Sequence, residues 1–371
     1  MGAQVECCGD LELLNQPRRA LLISRGERAP SPATPWLAAA VAAVKQLVPR
    51  GEALVTGAGR TAFDAALWTC AQVDGSAIVA LKHSPDPETE WHTFLPARHL
   101  LVWPRRHTGS SARRTRDLLM GWLADRAYSL YVRQAGHMEK LAGILAQRHC
   151  AVEGWPLPSV EPRPPNGLLN SRRALSGIRI HSHIAWHYLT HFTREPDGAW
   201  LGEPRAEYLR WLCSGSPYVP RDAFGALCHI LQEKRLRACG RLMPDAVPMV
   251  CFTGATPHAI LKLRRWRPGL LRWSFTPYGL AVSKDALARH GARPVTYESS
   301  AAFDLAAEEE RPYMQRRHSG GEDWSEEDEW RIAGDVDLSV FDPADMLALV
   351  AAPDEARTIE ETFGLRTEIL V

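Results

Sequence analysis

The sequence is short of long apolar runs, of one-signed charge and of clustered metal ligands, and each shortage removes a class of protein. No stretch approaches the roughly 18 consecutive apolar residues that cross a bilayer, and the start, MGAQVECCGDLELL, lacks a basic segment leading into an apolar one. Neither a membrane span nor a secretory leader is expected, and the expected location is the cytoplasm. Gly2 with Cys7 and Cys8 loosely matches an acylation start, but Glu6 stands where Ser or Thr is required. Forty-four Lys and Arg against 43 Asp and Glu leave a formal net charge of +1, so binding of nucleic acid through bulk charge is excluded and any basic site has to be local. The eight cysteines form no CxxC pair and no zinc-finger spacing with histidine. Cys70, Cys213, Cys228 and Cys251 sit among apolar residues and read as reduced, buried hydrophobes. His181, His183, His187 and His191 look at first like a metal site, with His183 and His187 at i,i+4 spacing, yet no HExxH glutamate or carboxylate at a ligand-like offset goes with them, so no metal is expected.

What is present is alternation. At 371 residues the chain has room for two domains. In the first half, apolar runs of strand length (RALLIS, EALVTGAG, SAIVAL, HLLVWP, AYSLYVR) alternate with segments of helical period. Thr34 and Pro35 supply N-cap and N1 signals for one of these helices, and Thr61 supplies a cap for the next. The alternation predicts an α/β domain with a doubly wound parallel sheet over 1–151. Ligands of such sheets bind beyond the carboxyl ends of the strands. That rule singles out SRGER (Ser24, Arg25, Gly26, Arg28), TGAGRT (Thr56, Gly57, Gly59, Arg60) and RQAGHM (Arg133 to Met138, with Gly136). Glycine admits a phosphate to the backbone, helix N-termini offer free N–H groups, and the arginines supply charge. Each glycine taken alone is equally well a tight turn.

The runs ALVTGAGRTAFDAALWTCAQVDGSAIVAL and RRTRDLLMGWLADRAYSLYVRQAGHMEKLA resemble the SLOG superfamily of Rossmann-like domains, which includes DprA. In this resemblance Arg116, with Asp117, takes the place of an Arg-containing segment that opens a helix. The phosphoribohydrolase branch carries PGGxGTxxE where this chain has TGAGRTAFD, with Asp64 near the place of the glutamate. The resemblance therefore implies sensing of a nucleotide-type ligand, or binding of DNA backbone, rather than hydrolysis.

Residues 152–177 concentrate Pro and Gly and read as a linker. A second, α+β domain is expected over 178–371. Its ordered pieces LTHFTREPDGAW, AFGALCHILQEKRLRA, VPMVCFTGATPHAI and YGLAVSKDALARHGARPVTY resemble the AbiGi family of abortive-infection proteins. With EEDEWRIAG downstream, the order of residues is also similar to ADP-ribosyltransferase-like folds. That similarity implies NAD as substrate, with His191, Tyr278 and Glu329 as catalytic residues and Thr193 against the nicotinamide ribose, while Arg194, Arg264 or Arg272 is the charge expected to hold its phosphates. SEEDEW reads equally as a solvated acidic face. The expectation for the whole is a defence or stress protein in which a nucleotide sensor controls an effector that cleaves NAD or transfers ADP-ribose. Its rivals are a non-catalytic, antitoxin-type module binding a protein partner, and a nucleic-acid binder using Arg105, Arg106, Arg113 and Arg114. Oligomeric state is not legible in the sequence.

Overall fold

The computed structural model describes residues 4–24, 30–32, 34–86, 89–105, 112–155, 186–196, 198–214, 221–241, 243–262, 266–267, 272–317 and 325–370, without the side chains of 112–114, 244, 261–262, 266–267 and 272–273. The chain forms two units, Met1–Arg163 with Asp197–Tyr218, and Pro164–Pro196 with Val219–Val371.

The first unit is built on seven strands: β1 (Val5–Gly9), β2 (Arg18–Ile23), β3 (Ala53–Gly57), β4 (Ser76–Ala80), β5 (Arg98–Pro104), β6 (Arg126–Tyr131) and β7 (Ala151–Gly154). Their order is β1-β5-β4-β3-β2-β6-β7. β2 to β7 pair in parallel, while β1 lies antiparallel on β5. The parallel strands are buried on both faces, which is why they read as continuous apolar runs rather than as alternation. Helices α1 (Pro35–Leu47) and α2 (Thr61–Gln72) cover one face, with Trp36, Leu37, Leu67 and Cys70 in the core. On the other face lie α3 (Ala112–Leu123) and α4 (His137–Gln147), contributing Met120, Met138, Leu141 and Leu145. The doubly wound α/β fold expected of this half is the fold observed.

The sequence reading missed β1 and β7. β1 is exposed along its whole length and carries no apolar signal, and β7 lies across the edge of the stretch read as linker. A third departure concerns α5 (Arg205–Ser214), which the sequence division assigned to the second domain. It belongs to the first unit because Tyr208, Leu209 and Leu212 bury against the same core as α1 and α2.

The second unit has a seven-stranded sheet. Its members are β8 (Tyr188–Phe192), β9 (Met249–Thr253), β10 (Gly279–Ser283), β11 (Arg293–Pro294), β12 (Glu329–Ala333), β13 (Met346–Val350) and β14 (Thr367–Ile369). The order is β11-β12-β9-β8-β10-β13-β14, antiparallel except for β13 with β14. One face packs Leu189, Val250, Phe252, Leu280, Val282 and Ile332 under α6 (Ala223–Glu233) and α8 (Pro353–Phe363), while α7 (Lys284–Arg289) adds Leu287. The opposite face packs Phe192 and Leu349 with Ile260 and Leu370. β9 and β10 are not neighbours, since β8 lies between them.

The cysteines separate by burial. Burial pushes the Cys70 thiol up to about 12, and the Cys251 thiol likewise to about 12, whereas Cys7 and Cys8 on β1 are exposed. Thiolate, not thiol, is the nucleophile. Iodoacetamide at pH 8 is therefore expected to modify Cys7 and Cys8 in the native protein and to reach Cys70 and Cys251 only after denaturation. Peptide mass spectrometry at successive times checks this, and early labelling of Cys70 contradicts it.

Candidate functional site

Strand order in the first unit fixes where a ligand is to be sought. The chain proceeds outward from β2 through β3, β4 and β5, then α3 carries it back to β6 on the other side of β2. The order reverses at β2, so the carboxyl ends of β2, β3 and β6 border the switch point, where open α/β sheets leave a crevice.

Three links join the loops at that edge. Ser24, which follows β2, accepts on Oγ the backbone N–H of Arg133, which follows β6, at 3.0 Å. Arg116 of α3 is buried beneath the loop after β3, its guanidinium 3.5 Å from the Ala58 carbonyl and over the Phe63 ring. The same guanidinium holds the buried carboxylate of Asp117 at 2.6 and 2.8 Å, and the second Asp117 oxygen stands 3.3 Å from His137 Nε2 at the start of α4. Through one pair of α3 residues the loop after β3 is thus coupled to the first turn of α4.

The TGAGRT loop is fixed from its other side by Asp64. Its carboxylate accepts the Gly59 N–H at 2.8 Å and the Arg205 guanidinium at 2.7 Å, and Arg205 also reaches Thr61 Oγ at 3.3 Å. Burial pushes the Asp64 carboxyl up, while Arg205 and the N–H groups of Gly59 and Arg60 draw it back down. Asp64 therefore caps the loop from within. α2 begins at Thr61 itself, with Arg60 in the N-cap position, so the capping role expected of Thr61 falls to Asp64. Gly59 has φ +75°, a conformation a β-branched residue adopts only under strain. At Gly57 a Cβ would stand 3.0 Å from Phe63 and 3.2 Å from Arg116, so glycine is what lets Arg116 pass under the loop.

Of the residues expected here, the structure brings Ser24, Thr56, Gly57, Gly59, Arg60, Arg116 and Gly136 to one sheet edge. Thr56 is a buried member of β3, and the Gly136 N–H closes a turn onto the Arg133 carbonyl. Arg25, Gly26 and Arg28 lie outside the described residues. Sequence reasoning missed Arg205, whose partner is 141 positions away, and gave His137 no role of its own although it lies within the glycine-bearing loop RQAGHM.

In the second unit the expected residues do not converge. Directly paired residues share a sheet face. His191 pairs with Leu280 on the face covered by α6 and α8, and Tyr278 donates to Glu355 of α8 at 2.9 Å. Glu329 pairs with Thr253, and Thr253 with Thr190, on the opposite face. The expected grouping of His191, Tyr278 and Glu329 is thus split by the sheet, because β8 and β12 present those positions to different sides. Each also has a structural partner. The His191 ring nitrogen Nδ1 lies 2.9 Å from the Cys251 carbonyl and burial lowers its basicity, while Thr193 donates to the Ala223 carbonyl at 2.7 Å. Burial, with the Glu355 carboxylate as acceptor, raises the Tyr278 phenol. Glu329 grips the buried Arg331 through both oxygens at 2.9 and 3.1 Å. Arg194 is exposed, and Arg264 and the Arg272 side chain lie outside what the structure describes. Among the described residues no group of three or more His, Cys, Asp or Glu is placed to hold a metal, and no helix is long and apolar enough to cross a membrane.

No protein-family model and no curated protein matches the chain. Among solved structures, DNA processing protein A (DprA) from Streptococcus pneumoniae matches at 16% identity and a TM-score of 0.36, over 43% of this chain and 56% of that one. DprA from Helicobacter pylori, a protein that binds single-stranded DNA, matches at 18% identity and a TM-score of 0.34, over 44% and 77%. The chain spans little more than half the length of the pneumococcal protein.

Proposed function

We propose that the first unit binds a nucleotide-type ligand, its phosphate seated on the sheet edge formed by the ends of β2, β3 and β6. The observation that supports this is the coupling of the three loops at the strand-order reversal, through Ser24 with Arg133, Arg116 with Ala58, and Asp117 with His137. α2 and α4 both begin at that edge, so unpaired N–H groups and the positive ends of two helix dipoles face the same crevice. The loop between them is held by buried charge on both sides and is already shaped when a ligand arrives, which reduces the ordering cost of binding. The reading is of a binding unit. It assigns no NAD chemistry to the second unit, because His191 and Tyr278 stand on the sheet face opposite Glu329.

A thermal-shift panel of AMP, ADP, NAD and the dinucleotide dTpdT tests the reading. A ligand at about 100 times its Kd stabilises by about 2.7 kcal/mol, enough to move Tm by several degrees. Gly59→Val is expected to abolish the shift, since the loop cannot hold φ +75° with a β-branched residue, at a stability cost of about 1–3 kcal/mol. Arg60→Ala is expected to weaken binding about 10- to 100-fold, the loss for a charge-assisted contact. No shift with any of the four compounds, or a shift untouched by Gly59→Val, refutes the assignment.

A further inference from the structure

We infer that the outer edge of β1 is a docking surface for a second copy of this chain, the two β1 strands pairing antiparallel about a two-fold axis at Cys7. The inference concerns the first unit alone and stands apart from the ligand reading.

The register of β1 shows which of its backbone groups are left over. In an antiparallel pair, residues that exchange hydrogen bonds with the neighbouring strand alternate with residues whose N–H and C=O turn away from it. At the two ends of β1 the bonds to β5 and its flanks are made: the Arg105 N–H donates to the Gln4 carbonyl at 3.0 Å, and the Asp10 N–H to the His99 carbonyl at 2.9 Å. Counting in twos between them, Glu6 and Cys8 face β5, whereas Val5, Cys7 and Gly9 face outward. β1 is the end strand of its sheet, so no further strand among the described residues takes up those groups.

Such an edge is a template for another strand, and proteins blunt it with Lys, Pro or a bulge. β1, VECCG, contains no Lys or Pro and pairs with β5 without a register shift. The edge strand β11 of the second unit, by contrast, is Arg293–Pro294. The β1 edge is apolar as well. Val5 and Cys7 lie on the sheet face of Val102, and Val5 is left exposed, as are Leu11 and Leu14 of the 3-10 helix Leu11–Asn15 that follows. Glu6, the one charge of the strand, belongs to the other face, where the Trp103 indole N–H donates to it at 3.0 Å and Arg105 stands 3.5 Å away.

Charge and shape select a second copy and a register. Outward groups pair only with outward groups, so an axis that keeps most of the strand paired passes through Glu6, Cys7 or Cys8. An axis at Glu6 sets that residue against its own copy, and an axis at Cys8 sets Glu6 against Asp10; like charges directly opposite are destabilising. An axis at Cys7 sets Glu6 against Cys8 and Val5 against Gly9. Gly9 has φ +119° and lies against the His99 carbonyl, so no side chain stands there to obstruct Val5. The edge is thus complementary to itself in this register. A single short strand buries far less than the about 1,200 Å² of a stable interface, so the association is weak and reversible.

The test is disulfide trapping of the full chain with oxidised glutathione. One Cys7 thiolate displaces a glutathione thiolate from that disulfide, and Cys7 of the second copy then displaces the other. Two thiols become one disulfide, and two glutathione molecules leave as thiols. In the proposed register the two Cys7 Cα atoms are about 5.5 Å apart, within disulfide range, whereas the two Cys8 are diagonal neighbours at about 7–8 Å, beyond it. Cys8→Ser, which keeps Cys7, is expected to give a dimer linked Cys7 to Cys7, identified by peptide mass spectrometry. Cys7→Ser, which keeps Cys8, should link at least about tenfold more slowly. Each rate is divided by the iodoacetamide labelling rate of the same thiol, which cancels intrinsic reactivity. Val5→Pro in the Cys8→Ser background removes an outward N–H that β5 does not use, a change edge strands tolerate, and should slow the linkage about tenfold. Unchanged hydrogen exchange of β3 amides shows that the unit is still folded. Absence of a Cys7 to Cys7 link, linkage through Cys8 at an equal rate, or a Cys7 rate untouched by Val5→Pro each overturns the inference.

Discussion

Asp64→Ala is expected to lower the stability of the first unit by about 3–5 kcal/mol, the loss that follows when one member of a buried ion pair is removed. The carboxylate is buried at the start of α2 and meets Arg205 at 2.7 and 3.2 Å and the Gly59 N–H at 2.8 Å. Its removal leaves the Arg205 guanidinium, 18% exposed, without a counter-ion and the backbone N–H groups of Gly59 and Arg60 without their acceptor. Arg205→Met removes the charge instead and strands the carboxylate, with a loss of similar size. The double variant Asp64→Ala with Arg205→Met should recover much of the sum, because a buried pair replaced by apolar groups is often near neutral. Hydrogen exchange of β3 amides in rising urea reports on this unit within the intact chain. A loss below about 1 kcal/mol for Asp64→Ala, or strict additivity in the cycle, contradicts the account. The same substitution frees the Gly59 loop, so nucleotide binding should weaken in conditions where the variant is still folded.

The second large effect is expected at Glu329. If the glutamate served only chemistry, Glu329→Ala would leave stability alone. The structure predicts a loss of about 3–5 kcal/mol instead, since the buried Arg331 loses its counter-ion. Arg331 also donates to the Pro312 and Met314 carbonyls at 2.6 and 3.3 Å and to Gln315 Oε1 at 3.1 Å, and those contacts cannot neutralise its charge. Glu329→Gln keeps an acceptor and should cost less, and Glu326→Ala, at an exposed position, should stay within about 0.5 kcal/mol of wild type. Denaturation followed by hydrogen exchange of β9 and β12 amides resolves the three. Equal, small losses for all three variants would return SEEDEW to the solvated acidic face that composition alone allows. Nicotinamide release from NAD, measured on the same proteins, asks separately whether Glu329 has a chemical part.

The parallel core of the first unit was legible because strands buried on both faces need continuous apolar runs, and RALLI and SAIVA are such runs. The edge that gathers Ser24, Gly57, Gly59 and Gly136 was legible for a related reason. In alternating strand and helix, each loop after a strand falls on the same side of the sheet, so loop order in sequence is loop placement in space. β1 was not legible, since an exposed edge strand such as VECCG has no core face to impose a pattern.

What the sequence by itself determined about this protein is therefore whatever depends on local periodicity: the doubly wound first half and the carboxyl edge where a ligand is to be sought. Tertiary structure alone decided the partners. Arg205 closes on Asp64 across 141 positions, and α5 joins the first unit although it lies beyond the Pro-rich stretch, because its apolar face fits the core of α1 and α2. His191 and Glu329 fall on opposite faces because β8 pairs directly with β9 and β9 with β12, so that pairing register, with a side-chain period of two, decides which residues meet. Pairing of that kind leaves no trace in residue order, since it is set by which surfaces the folded chain brings into contact.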